Sequence, residues 1–129
     1  LFIVANVGFQ DHEFSVPYEA VKNAGYEIEI ASGWGGKCRG VFMKSIEDSK
    51  KIIEVDPTRY DLLIFVGGGG AYDQYYLDQD YLNLAKTAKA VAAICIAPSL
   101  LSDAGIYQKR QVTGRDDGFG TQVAYLQKN

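Results

Sequence analysis

The sequence has 129 residues, is 47% hydrophobic and 22% charged, and carries a formal net charge of −3. This balance excludes a disordered chain, and the length suits one domain. Such a chain buries about two-thirds of the surface its unfolded form exposes, so a core closes without a metal or disulfide staple. With a pI near 5.1 and no run of Lys or Arg, nucleic acid is not an expected partner.

No window approaches the roughly 20 apolar residues of a membrane span. The start LFIVANVGF lacks the basic head and small-residue cleavage site of a secretory signal. No membrane partner is expected, and a cytoplasmic location is. Cys38 and Cys95 lie in unlike contexts, a Gly-rich loop and the end of a buried-strand pattern, and read as free thiols in a reducing compartment. The chain begins with Leu1 rather than Met and stops at Lys128-Asn129 without an obvious closing element, so trimming of one or both ends is expected.

Apolar runs alternate with amphipathic stretches. LFIVANV, residues 1 to 7, predicts a strand buried on both faces. SVPYEAVKNA, 15 to 24, predicts a helix with Ser15 as cap, Pro17 in the first turn and Gly25 as stop. YEIEIAS, 26 to 32, resumes strand character, giving a right-handed parallel strand-helix-strand unit. Residues 33 to 40 read as a flexible loop, VFMK as a short strand, and Ser49 to Val55 as a helical turn. DLLIFVGG, 61 to 68, is the clearest buried strand, and four glycines end it. A helix over LDQDYLNLAKTAK, a strand at 90 to 96, a helix from Pro98 to Ala104 and a short strand at 111 to 113 complete the series.

Strands alternating with helices define an α/β fold, a three-layer α/β/α sandwich around a mostly parallel sheet. Ligand sites in such sheets lie beyond the carboxyl ends of the strands. Three segments qualify: Gln10-Asp11-His12-Glu13, glycines 67 to 70, and Cys95-Ile96-Ala97-Pro98. Cys95 falls where the strand AVAAI turns sharply into a helix with Pro98 in its first turn, the context of a nucleophile elbow. Unpaired amides and the helix dipole would stabilise a thiolate there, so a lowered Cys95 pKa is expected. Glu13 could reach the same edge and serve as general acid and base, whereas Asp11 reads as a solvated loop or first-turn acid. The glycine run could present amides to an oxyanion, yet lacks the P-loop ending and the dinucleotide fingerprint. His12, the single histidine, reads as a solvent-facing loop residue, and no metal site is expected.

The early acid in GFQDHE, YDLLIFVGGGGAYD, the elbow AVAAICIAPSLLSDAGIY and the following KRQVTG together resemble the ThiJ/PfpI superfamily, which shares the glutamine amidotransferase-like, flavodoxin-like sheet. The resemblance runs from the first residues to about residue 117. It implies that Cys95 is the nucleophile or redox centre, that Glu13 is protonated and hydrogen-bonds to it, and that Gly68, Gly69 and Ile96 lend backbone amides. It also implies no cofactor, a homodimer or higher oligomer, and a domain that ordinarily continues past the equivalent of Asn129 with a Gly-Ala segment, a strand pair and a helix. A single such domain is expected over residues 1 to 129, with those last elements outside the chain or dispensed with.

Two departures bear on function. The peptidase-like branch places His directly after the cysteine, where this chain has Ile96, which disfavours a peptidase. The glyoxalase-like branch supplies a histidine after the Val-Thr segment, where this chain reads Gly114-Arg115-Asp116-Asp117. One expectation is therefore a cofactor-free enzyme, of glyoxalase, deglycase or amidase type, in which Cys95 attacks a small carbonyl or amide substrate while Glu13 moves the proton and backbone amides hold the oxyanion. The alternative is a non-catalytic redox-sensing or chaperone-like stress protein in which Cys95 itself is oxidised.

Overall fold

The computed structural model describes residues 1–115 and 118–128. In chain order the strands and helices are β1 (Phe2–Ile3), β2 (Val7–Phe9), α1 (Asp11–Asn23), β3 (Ile30–Ser32), β4 (Cys38–Gly40), β5 (Ser45–Ile46), β6 (Lys50–Lys51), β7 (Leu63–Phe65), α2 (Gly69–Tyr75), α3 (Gln79–Thr87), β8 (Val91–Ala93), α4 (Ala97–Leu100) and α5 (Thr121–Lys128). Single 3-10 turns occur at Ile52–Glu54, Pro57–Arg59 and Ser102–Ala104. Five strands form a wholly parallel sheet in the order β6-β3-β1-β7-β8, and β2-β4-β5 form a second, smaller one. The chain reverses its direction of travel across the large sheet between β1 and β7, which creates the crevice that α/β proteins use for ligands.

The continuous apolar runs exist because the central strands are covered on both faces. Leu1 and Ile3 of the first run, with Leu63 and Phe65 of β7, pack toward α2, α3 and α4, among Ala71, Tyr75, Tyr81 and Leu101. Phe2 and Val4, with Ile64 and Val66, face the opposite way, against Phe14 of α1. Phe14 meets the rings of Phe2 and Phe9 edge-on, with centroids 5.7 and 5.6 Å away. Each such pair adds about 0.5–1.5 kcal/mol to the burial itself. No helix among the described residues is long and apolar enough to cross a membrane.

Several local expectations are corrected. Helix α1 begins at Asp11, four residues before Ser15, because the Gln10 side chain caps it, accepting from the His12 amide at 3.1 Å. Pro17 consequently sits inside the helix. Asp11 is in the first turn but is not solvated: 7% exposed, it accepts hydrogen bonds from the amides of Phe42 and Lys44 at 2.9 and 2.7 Å. These bonds clamp the 41–44 segment as the turn between β4 and β5, so VFMK is no strand. Residues 111–113 also form no strand, and residues 50–51 pair with β3 before the single turn that follows. The glycine run does more than stop β7, since it opens α2, with Gly68 as cap.

Candidate active site

Three chain crossings bring the site together at the carboxyl edge of the sheet. Following β1, the chain passes through β2 and turns into α1, whose first turn carries Glu13. Beyond β7 comes Gly67, and beyond β8 comes Cys95. Two backbone bonds bind the first two crossings: the Gln10 amide donates to the Gly67 carbonyl, and the Gly67 amide donates to Glu13 Oε2, both at 3.0 Å.

Gly67 is the spacer between acid and thiol. A Cβ built on it would lie 2.6 Å from Glu13 Oε2, 2.8 Å from the Ile94 carbonyl oxygen and 3.0 Å from Cys95 Cβ. Only a residue without a side chain allows the three to approach. Gly68, expected to lend its amide, instead adopts φ +106°, where a Cβ would stand 2.5 Å from the Gly8 carbonyl and 2.6 Å from the Gln10 amide. Its bare backbone seats the α1 crossing. Gly69 is exposed and faces open space. The amide set against the acid is that of Gly67. The glycine run was the visible signal, but strand length did not reveal which member meets Glu13.

Cys95 has φ +62°, a left-handed conformation rare for a residue with a side chain. The turn is held by the Ala97 amide donating to Ile94 at 3.1 Å and by the Leu100 amide donating to Ile96 at 3.2 Å. Strain of this kind, of order 1–3 kcal/mol, persists where surrounding structure enforces it and concentrates at functional positions. The thiol is half-buried, with the Glu13 carboxyl and the Ile96 amide close enough to act on it.

The thiol pKa is raised, contrary to the expectation from its place at a helix start. Burial is the largest cause, followed by the hydrogen bond to Glu13 and the negative charge of that carboxylate; the Ile96 amide and the Arg115 charge pull the other way. The physical reason lies in length as well as position. Helix α4 has four residues, Ala97–Leu100, and one turn of aligned peptides supplies little dipole to oppose burial and a carboxylate.

His12 does not join this pair. It is exposed, and its ring lies beside Phe42, with centroids 6.4 Å apart. One residue along a helix rotates a side chain by about 100°, so Glu13 and His12 cannot both face the thiol. Asp116 and Asp117 lie outside the described residues. Arg115, by contrast, is close by: its amide donates to the Cys95 carbonyl oxygen at 2.9 Å. Its role was hidden because the segment attracts attention for the histidine it lacks. Two cavities, of about 520 and 730 Å³, are lined by other residues. No group of three His, Cys, Asp or Glu among the described residues could hold a metal ion.

The fold and this elbow define a class: α/β proteins of the glutamine amidotransferase-like superfamily with a cysteine poised beyond a parallel strand. The sequence matches the DJ-1/PfpI family over residues 1–123, and the chain belongs to that family. It is 32% identical to the deglycase PfpI of Pyrococcus furiosus over 136 aligned positions, covering 99% of this chain and 81% of that protein. It is 30% identical to general stress protein 18 of Bacillus subtilis, covering 87% of this chain and 68% of that one. The crystal structure of a ThiJ/PfpI domain protein from Brachyspira murdochii superposes with a TM-score of 0.87 at 24% identity, covering 98% of this chain and 73% of that one. An uncharacterized protein of Methanocaldococcus jannaschii is 29% identical, and the chain spans 57% of its length.

Proposed function

We propose that the protein is a cofactor-free, cysteine-dependent enzyme acting on small reactive carbonyl compounds or their early adducts with amines. The observation that carries this reading is the strained Cys95 elbow, set across Gly67 from the Glu13 carboxyl that the Gly67 amide anchors. Relatives named deglycases support it. Burial and the Glu13 charge favour the protonated thiol, and Glu13 is the acid-base group beside the sulfur that can take its proton as the sulfur attacks.

In the first step the sulfur bonds to the carbonyl carbon and the C=O π pair moves to oxygen. The thiol proton travels by way of Glu13 to that oxygen, giving a neutral hemithioacetal with no change in the oxidation state of sulfur. The Ile96 amide, next to the sulfur, is placed to receive the developing negative charge. With a 2-oxoaldehyde, moving the proton on the former aldehyde carbon to its neighbour, and the hemithioacetal hydroxyl proton to the neighbouring carbonyl oxygen, yields a thioester. Water then releases a 2-hydroxy acid and regenerates the thiol.

Turnover of methylglyoxal to lactate tests the reading. Wild type should produce lactate and Cys95→Ala should not; equal rates would overturn it.

A second reading, oxidation of Cys95 by peroxide to a sulfinic acid, is favoured by the sequence placing no histidine beside the cysteine or after the Val-Thr segment. Peroxide titration with intact-mass detection should then add two oxygens to wild type and none to Cys95→Ala. The same family reading carries a homodimer. The exposed Val41, Phe42 and Met43 of the clamped turn offer an apolar face, and sedimentation at micromolar concentration should give twice the chain mass.

A further inference from the structure

Arg115 is fixed to the elbow itself. Its amide bonds the Cys95 carbonyl oxygen at 2.9 Å. The preceding Gly114 is hemmed in as well: a Cβ there would lie 3.4 Å from Gln122 Oε1, 3.4 Å from Leu126 Cδ1 and 3.5 Å from the Cys95 carbonyl oxygen. The 114–115 segment is thus held between the nucleophile and α5, which fixes the backbone of Arg115 to the Cys95 turn.

The charges around the sulfur are unlike on its two sides. Glu13 puts a carboxylate against it, and Arg115 bears a positive charge close enough to pull its pKa down. The Arg115 side chain is exposed and forms no salt bridge among the described residues. In a protein of net charge −3 with an acid touching the nucleophile, an anion approaching the sulfur is repelled unless a cation receives it. A single planar guanidinium suits one carboxylate, which it holds through two parallel N–H bonds.

We propose that Arg115 is the specificity-determining residue of this site and that it receives a carboxylate carried beside the electrophilic carbon of the substrate. The substrate class is then an acidic carbonyl compound, such as a 2-oxo acid or an aldehyde bearing a carboxylate one or two carbons away. The proposal rests on the carbonyl reading above. It deepens that reading by naming which carbonyl compounds the site prefers.

Alkylation of Cys95 by iodoacetate and by iodoacetamide separates this role from catalysis. In both reactions the thiolate forms a C–S bond, the C–I bond breaks, iodide leaves and the thiol proton goes to buffer. Both reagents draw on the same thiolate population, so their rate ratio cancels any change in thiol pKa and reads attraction for the reagent's carboxylate. Rates are followed by mass spectrometry of the Cys95 peptide in the full chain, with the buried Cys38 as an internal check on folding.

Arg115→Gln should lower the iodoacetate-to-iodoacetamide ratio about five- to tenfold, Arg115→Lys should retain most of it, and added salt should lower the wild-type ratio. An unchanged ratio in folded Arg115→Gln, with Cys38 still protected, overturns the proposal. If wild type consumes neither methylglyoxal nor an aldehyde bearing a carboxylate, such as glyoxylate, while the ratio still depends on Arg115, the carbonyl reading falls and the carboxylate site stands. If turnover depends on Cys95 while the ratio is indifferent to Arg115, the carboxylate site falls and the carbonyl reading stands.

Discussion

The two cysteines of this chain are the same group in two environments. Cys38 lies within β4, 2% exposed, and its sulfur sits among neutral partners: Ser49 Oγ at 3.4 Å, the Gly36 carbonyl at 3.7 Å and Asn6 Nδ2 at 3.8 Å. Cys95 sits just past a strand end in a left-handed turn, half-buried, across Gly67 from the Glu13 carboxyl and with the Arg115 amide on its carbonyl oxygen. A thiol inside a strand is surrounded by the groups that pair and cover that strand. One beyond the strand's carboxyl end meets side chains delivered by three separate crossings, and this convergence makes chemistry possible. The contrast teaches that placement in the topology, rather than residue type, decides which cysteine can react.

Replacement of each cysteine tests the contrast most severely. Cys95→Ala should cut carbonyl turnover by about a thousandfold or more, while Cys38→Ala should leave turnover nearly intact and cost about 1 kcal/mol of stability from lost packing. Comparable losses of turnover from both would erase the distinction; steady-state assays beside urea unfolding measure it.

Next in size is Glu13→Gln, which keeps a side chain of the same shape but cannot accept the thiol proton. Turnover should fall about 10²- to 10⁴-fold. Because the carboxylate is one of the groups raising the Cys95 pKa, the midpoint of iodoacetamide labelling should move down. A midpoint that stays put would mean that burial alone raises it.

Gly67→Ala sharpens the geometry. The new methyl would meet Glu13 Oε2 and Cys95 Cβ at 2.6 and 3.0 Å, so acid and thiol must separate. A loss of about 10- to 100-fold in turnover is expected, with a stability cost of about 1–3 kcal/mol. Full activity in this variant would show that the spacing of the pair is unimportant.

The smallest effect concerns alkaline stability. The folded-state pKa of Cys95 is raised above its ordinary value of 9.0, so its contribution to stability is fully present below that pH and is lost as pH rises through the folded value. Wild type should therefore lose stability slightly more steeply than Cys95→Ala between about pH 8 and 11. Tyr107, pushed up to about 12 by burial, falls with the same sign in both proteins and cancels in the difference. Chemical denaturation across that range checks the order. Parallel curves would mean that the thiol titrates equally in the folded and unfolded chains.

The alternation of apolar runs with amphipathic stretches was sufficient to determine a covered parallel sheet, because strands buried on both faces need continuous apolar residues such as Leu63-Ile64-Phe65-Val66. It also determined that Cys95 ends such a strand, since Pro98 and Gly105 delimit the helical turn that follows. Tertiary structure alone decided the rest. The start of α1 depends on a Gln10 side chain and on Asp11 reaching the turn at Phe42, contacts 31 and 33 residues away in sequence for Asp11. Which of Glu13 and His12 faces the thiol depends on the helix's rotation, and which glycine touches the acid depends on where β7 stops. The direction of the Cys95 pKa is likewise a matter of three dimensions: a local reading sees the nearby amides, whereas burial and the approach of Glu13 are created by packing segments more than 80 residues apart in the chain.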